Sequence, residues 1–394
     1  MTLPNVLYQG SVKNVRGVKG KSPYVFEFSD RYSIFDWGEM PDHLEGKGEA
    51  LAFMAWFFCD FLGNPKNWKD WQAPAKLQKS ALLGKLVKDG VPHHAIGLIS
   101  HDLKIISLDR EVLSPSRCLS VNPVKVLLPE SRQKDKKLIW DYKMYETLPE
   151  NTLVPLEVIF RFGVPEGSSL LQRTGNAEYR SSIGLSSAPK EGDKFDLPII
   201  EFSTKLETSD RYLNYDGARE LAGMSEAEFD RLKALASLIA LRLKDCFLEI
   251  GVELWDGKLE FAFGTKDKKG GRDFILVDSI GPDELRLLCQ GMHLSKEALR
   301  LFYRPTAWHA AVERAKEMAK ARGDKDWKRI CIEELKLIPP VLSPAVKRKA
   351  EMIYKGLARA LSLKFCGKAI FKDAWEIEEV VKSFVPKNSG KEVA

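Results

Sequence analysis

The first third of this chain reads as strands and turns, further short strands follow, and the last hundred residues read as helices, without steady strand–helix–strand alternation. That order points to an α+β fold: largely antiparallel sheets with flanking helices and a helical C-terminal region. VLYQGSVKNVRGV and PYVFEFSDRYSIFD mix β-branched and aromatic residues with glycine breaks, and KIISL, VKVLL, VPLEVIFRFG and IIEFSTKLE read as further strands. GKGEALAFMAWFFCDFLG reads as a buried helix ending near Gly63. Ser225 and Glu228 form a capping box before the apolar stripe Phe229, Leu232, Leu235, Ile239 and Leu243. Pro305-Thr306 and Ser343-Pro344 open later helices, the second carrying Val346, Ile353, Tyr354 and Leu357 on its inner side.

With 394 residues the chain can bury a large core. Its 61 basic and 55 acidic residues leave a net charge of +6, which suits an anionic small ligand at least as well as nucleic acid. The basic runs KDKKGGR and RQKDKK contain acids and lack interleaved aromatics, so they read as solvated loops. Cys59, Cys118, Cys246, Cys289, Cys331 and Cys366 have no paired spacing, which argues against a zinc or disulfide framework. His93 and His94, as neighbours, point opposite ways in extended chain and make a poor chelate. MTLPNVLYQG lacks a signal pattern and ALAFMAWFFCDFLG is too short to cross a bilayer, so a cytoplasmic protein with neither membrane nor nucleic-acid partner is expected. No G-x-S-x-G, Cys-x-x-Cys or H-E-x-x-H element argues for a hydrolase nucleophile or zinc chemistry.

The stretch DGKLEFAFGTKDKKGGRDFILVDSIGPDELR carries more information. Alternate strand residues share a face, so Asp256, Lys258 and Glu260 project together while Leu259, Phe261 and Phe263 face a core. A solvated strand face is the plainer explanation; a site is the other. If the strands around Gly270-Gly271 pair, Glu260 and Asp278 offer two hard oxygen ligands, suited to Mg²⁺ with water and phosphate oxygens. Arg286, one turn after Pro282 near an expected helix start, could clamp a phosphate. Arg161 and Arg173 bracket Gly167-Ser168-Ser169, again a candidate anion pocket. Lys205, with Asp210 five residues on, could bridge phosphates, and Gly10 with Lys13 resembles a glycine turn over a triphosphate. Gly46-Lys47-Gly48 offers backbone N–H groups beside a lysine.

Taken in order, LYQGSVKNV, FSDRYSIFD, GKG, GVPHH, VIFRFGVPEGSSL, STKLETSD, DGKLEF and LVDSIGPDELR resemble the phosphoribosylaminoimidazole-succinocarboxamide synthase (SAICAR synthetase) family, with a looser match in PPVLSPAVKRKAEMIYKGLARAL. The resemblance implies an ATP-dependent, Mg²⁺-dependent ligase of purine biosynthesis. Such enzymes join the carboxylate of an imidazole ribonucleotide, carboxyaminoimidazole ribotide, to L-aspartate through an acyl phosphate. By matching position, Glu260 and Asp278 would hold Mg²⁺, Lys258 would lie by the reacting carboxylate, and Asp256 would orient Lys258 or a substrate group. Gly10, Lys13 and Lys205 would attend ATP, with Lys205 also in the catalytic set. Arg161, Ser168 and Arg286 would hold the nucleotide's ribose phosphate side, with Asp36, Lys47 and Asp210 as further substrate positions.

A β-rich nucleotide-binding part over 1–115, a central catalytic part over 116–290 and a helical part over 291–394 are expected, and a homo-oligomer is left open. The chain departs from the family pattern at Ser11, Phe162, Gln172, Ser209 and Ser279. A lysine is expected at the first of these and an acid at the last. Two alternatives follow: an amide ligase with a different acid or amine, or a nucleotide-binding homologue without catalysis.

Overall fold

Two antiparallel sheets carry the fold, and a short backbone bridge ties them together. The structure is a computed structural model and describes residues 3–100, 104–106, 115–134, 137–268, 270–324 and 326–384. The first sheet contains Val6–Gln9 (β1), Lys13–Val18 (β2), Lys21–Phe28 (β3), Ala95–Ile99 (β4), Ile105–Ile106 (β5) and Cys118–Val121 (β6), in the order β1-β2-β3-β6-β4-β5. Glu130–Lys134 (β7) and Lys137–Asp141 (β8) form a separate ribbon. The second sheet takes Thr152–Leu153 (β9), Leu156–Gly163 (β10), Lys194–Thr204 (β11), Tyr212–Leu213 (β12), Glu253–Lys266 (β13), Arg272–Val277 (β14), Leu285–Cys289 (β15) and Met292–His293 (β16). Its main path is β12-β11-β10-β13-β15-β16, with β14 and β9 pairing the far half of β13.

β13 is the organising strand because it changes partners along its length. Asp256 lies opposite Arg161 of β10 and Arg286 of β15, whereas Glu260 lies opposite Val277 of β14. Gly257 is needed where three strands crowd: an added Cβ there would sit 2.4 Å from Leu285 and 2.7 Å from Phe160. The sheets meet where His94 N–H donates to the Leu276 carbonyl (3.1 Å) and Leu276 N–H donates to the Pro92 carbonyl (2.8 Å). This junction sets β2 of the first sheet against the end of β14.

The helices wall the sheets. Lys47–Gly63 is apolar almost all round and buried, and it packs on β3, β4, β6 and the Pro344–Cys366 helix. Glu226–Leu248 starts with both halves of the Ser225/Glu228 capping box and covers β11 and β13. Thr306 and Ser343 cap the Ala307–Arg322 and Pro344–Cys366 helices as expected. Ile353, Tyr354 and Leu357 are fully buried, while Val346 is half-buried. One main core takes residues from all three expected parts, Phe57, Phe160 and Tyr354 among them, and β6 of the first sheet follows residue 115. Among the described residues no helix is long and apolar enough to cross a membrane.

Three local expectations need correction. Arg286 does not sit near a helix start: it lies in β15, paired across from Asp256, because Leu285, Leu287 and Leu288 are drawn into the core. VKVLL forms no strand beyond a single bridge at Lys125. SDRYSIFD leaves β3 after Phe28, and Phe35 and Asp36 adopt left-handed backbone.

Candidate active site

Alternation on β10, β11 and β13 aims charge at one face of the second sheet. Ile159 stands opposite both Lys258 and Glu201, and Arg161 opposite Asp256. Glu157, two residues before Ile159, therefore shares the face. Two carboxylates here are shared by two ammonium groups. Lys258 donates to Glu157 (2.6 Å) and Glu260 (3.4 Å), and Lys205, just past β11, donates to Glu260 (2.6 Å) and Glu157 (3.4 Å). Ser203 Oγ also reaches Glu157 at 3.4 Å.

The first sheet adds Lys13, whose ammonium donates to Asp278 and to Ser279 Oγ (3.3 Å). Asp278 follows β14 in left-handed backbone, φ 64°, and its carbonyl accepts from His94 Nε2 at 3.0 Å. The Gly10 N–H closes the β1–β2 turn onto the Lys13 carbonyl at 2.9 Å.

Burial and charge compete within this cluster. Burial pushes the Glu260 carboxyl up, but Lys205, Lys258 and Lys13 outweigh it and hold the group below the usual carboxylate range. Burial lowers Lys258, yet Glu260 and Glu157 raise it above an ordinary lysine. Lys13 is brought down to about 8 by burial, only partly offset by Glu284 and Glu260. Burial, helped by Lys13, lowers His94 to about 3, so its ring is neutral and free to donate to the Asp278 carbonyl.

A second cluster adjoins it along β13. Arg161, 4% exposed, donates to Glu201 (2.5 Å), Asp256 (3.0 Å) and the Tyr212 hydroxyl (3.4 Å). Arg173 donates twice to Glu201 (2.8 and 3.1 Å) and stacks on the Tyr212 ring, 3.4 Å from its centroid. Tyr179 OH adds a fourth bond to Glu201 at 2.7 Å. Arg286 lies 3.5 Å from Asp256, but its Nη1 is buried with no hydrogen-bond partner among the described residues. Ser168 is buried nearby in sequence from Arg173, its Oγ accepting from Leu170 N–H at 3.4 Å. Asp256 therefore touches the two arginines rather than Lys258.

The structure thus brings Lys13, Lys205, Lys258, Glu260 and Asp278 together, and Arg161, Asp256 and Arg286 beside them. Asp210 is exposed at the rim, its carboxyl pushed up by desolvation and by Glu157. Asp36 is 89% exposed by side chain and 3.6 Å from Lys316. Lys47 is not brought to the cluster: it is fully buried and bonded to Asp283 at 2.8 Å, which also accepts from Tyr354 OH at 2.7 Å. The neighbouring N–H groups are in use too, Lys47 on the Leu44 carbonyl and Gly48 on Asp30.

Phe162 points away, buried against Phe160 on the core side, so it gives no ground for a changed substrate. Sequence reasoning missed Glu157 and Glu201. The available signal was a lone acid inside an apolar strand run, LEVIFRF and IIEFST, at even spacing from a basic partner or a site strand.

Among the described residues no group of three or more His, Cys, Asp or Glu is placed to hold a metal. Glu260 and Asp278 are two hard carboxylates beside three lysines, and this donor set fits Mg²⁺ completed by phosphate oxygens and water.

The family model that matches this chain describes SAICAR synthetase and covers residues 6–315. A provisionally named phosphoribosylaminoimidazole-succinocarboxamide synthase of Archaeoglobus fulgidus is 34% identical over 378 residues, 94% of this chain and 97% of its own length. The phosphoribosylaminoimidazole-succinocarboxamide synthase of Thermoplasma acidophilum is 25% identical over 358 residues, 89% of this chain and 96% of its own. Among solved structures, the Saccharomyces cerevisiae SAICAR synthase complexed with SAICAR matches with a TM-score of 0.53 and 21% identity, over 91% of this chain and 95% of that one. That likeness concerns the fold.

Proposed function

We propose that this chain, which belongs to the SAICAR synthetase family, uses ATP and Mg²⁺ to join the carboxylate of carboxyaminoimidazole ribotide to L-aspartate. The carboxylate oxygen attacks the γ-phosphorus and ADP leaves. The aspartate amine then attacks the acyl carbon, and phosphate departs with the amine giving up its proton. This chemistry calls for positioning and charge neutralisation more than for a nucleophilic side chain.

The observation that carries the reading is the convergence of Lys13, Lys205 and Lys258 on Glu157, Glu260 and Asp278 at the sheet junction. Lys13 and Lys205 would face the triphosphate, and Lys258 the reacting carboxylate. Glu260 and Asp278 would hold Mg²⁺, which supplies charge neutralisation along the phosphates when bound. Arg286, whose buried Nη1 has no hydrogen-bond partner among the described residues, and Arg161 would face the ribose phosphate, kept apart and oriented by Asp256. The substrates are soluble metabolites, which agrees with a cytoplasmic enzyme.

The test is incubation of the protein with ATP, Mg²⁺, carboxyaminoimidazole ribotide and aspartate, following ADP and the succinocarboxamide product. Both should form in equal amounts and only when all four are present. ADP release with another acid or amine, and none with this pair, would move the substrate assignment. No turnover with any pair, despite nucleotide binding, would leave a non-catalytic homologue.

A further inference from the structure

Position 279 holds serine where the family pattern leads one to expect an acid beside Asp278. The chain has a carboxylate close by all the same. After Asp278 the backbone turns back at once: Glu284 N–H and Leu285 N–H both donate to the Gly281 carbonyl at 3.0 Å. The Glu284 carbonyl in turn accepts from Lys258 N–H of β13 at 3.1 Å, which fixes the turn against the site. Its side chain is folded back so that Oε1 accepts from Ser279 Oγ at 3.4 Å. Ser279 Oγ also lies 3.5 Å from Asp278 Oδ1 and accepts from Lys13 at 3.3 Å. Glu284 Oε2 is buried and has no hydrogen-bond partner among the described residues. A buried carboxylate oxygen without a partner is costly unless something else occupies its lone pairs.

We propose that Glu284 supplies, through space, the second acidic group that Ser279 lacks, a positioning residue that faces the divalent ion through its outer shell beside Asp278. The serine hydroxyl holds the carboxylate at that place, and the small side chain at 279 leaves room for it. The inference rests on reading Glu260 and Asp278 as the ion's ligands. It requires no third direct ligand, in keeping with the absence of any such group among the described residues. Outer-shell carboxylates orient the inner ligands and the ion's waters, and their loss weakens metal binding.

The experiment measures Mn²⁺ binding to the full chain in the presence of ADP, from the paramagnetic signal of free Mn²⁺. Glu284→Ser should weaken Mn²⁺ binding by about ten- to a hundredfold, and the reciprocal exchange Ser279→Glu/Glu284→Ser should restore most of it. Without ligand, Glu284→Ser should melt no lower than the parent, since it removes a buried carboxylate with an unpaired oxygen. Should that variant fold poorly, the isosteric Glu284→Gln carries the same expectation for Mn²⁺. An affinity unchanged in Glu284→Ser or Glu284→Gln, or an exchange variant no better than Glu284→Ser, would overturn the inference. A parent chain that bound no Mn²⁺ with ADP would instead remove the underlying assignment of Glu260 and Asp278.

Discussion

Glu201→Gln tests whether the arginine cluster is held as described. Glu201 is fully buried and accepts four hydrogen bonds, one from Arg161, two from Arg173 and one from Tyr179. Glutamine keeps one acceptor oxygen. The oxygen that serves Arg173 and Tyr179 makes three of the four bonds, so the amide should orient to preserve it. Its NH₂ then meets the Arg161 Nε–H, donor against donor, where Glu201 now accepts at 2.5 Å. The cluster of Arg161, Arg173 and Arg286 against Glu201 and Asp256 goes from one excess positive charge to two. Removing one member of a buried, hydrogen-bonded charge group destabilises by about 3–5 kcal/mol.

Urea unfolding at pH 7 should show that loss. Arg161 and Arg173 outweigh burial and hold Glu201 below the usual carboxylate range. A depressed acid contributes stability that is present above its unfolded pKa and lost as pH falls through its folded one. The gap between parent and variant should therefore be full at neutral pH and shrink below about pH 4.5. Substrate nucleotide, supplying the missing negative charge, should stabilise the variant more than the parent. A loss of less than about 1 kcal/mol, within the range of a surface ion pair, would show that Glu201 does not organise the arginines.

Three further outcomes follow from the same geometry. Glu260→Ala should abolish Mg²⁺-dependent ADP formation while circular dichroism stays that of the parent; parental turnover would take Glu260 out of the metal site. Glu157→Gln should lower kcat/KM for the imidazole substrate by about ten- to a hundredfold, the scale of one charge-assisted hydrogen bond of about 1.5–3 kcal/mol, because the 2.6 Å partner of Lys258 loses its charge; an unchanged value would separate Lys258 from the reaction. Raising the pH through about 8 should increase the KM for ATP as the buried Lys13 loses its proton, while the same depressed value makes its contribution to folding stability grow between about pH 8 and its unfolded value. A KM flat from pH 7 to 9 would place Lys13 away from the phosphates.

Much of this site could be read along the chain because β13 writes it in alternation: Asp256, Lys258 and Glu260 outward, Leu259 and Phe261 inward. The helix starts were legible too, since capping is local chemistry that Ser225 and Glu228 or Ser343 and Pro344 display within a few residues. What was not legible depends on partners distant in sequence. Arg286 reads as a helix-start residue after Pro282, but the long-range pairing of Leu285 and Leu287 with β13 overrides that local signal. Lys47 beside two glycines reads as an anion site, and only the fold brings Asp283 across to neutralise it. Ser279 reads as a lost charge until the turn at Gly281 returns Glu284 to the same place.

The pairing pattern also bears on how so many charges can share one partly buried face. Three ammonium groups, on Lys13, Lys205 and Lys258, meet three carboxylates, on Glu157, Glu260 and Asp278. Each charge is partly buried, and an unpartnered one there would shift its pKa and neutralise rather than persist. Pairing outweighs burial at Glu260, held below the usual carboxylate range, and at Lys258, raised above an ordinary lysine, whereas at Lys13 burial prevails. Phosphate oxygens could draw the lysines away only by leaving Glu260 and Asp278 without partners, a cost comparable to the gain. A divalent cation held by Glu260 and Asp278 would offset that cost, since the carboxylates would keep a positive partner when the lysines turned to phosphate. If Glu260 and Asp278 hold the ion as proposed, nucleotide binding would therefore depend on the metal, because the resting pairs would otherwise have to be broken without replacement.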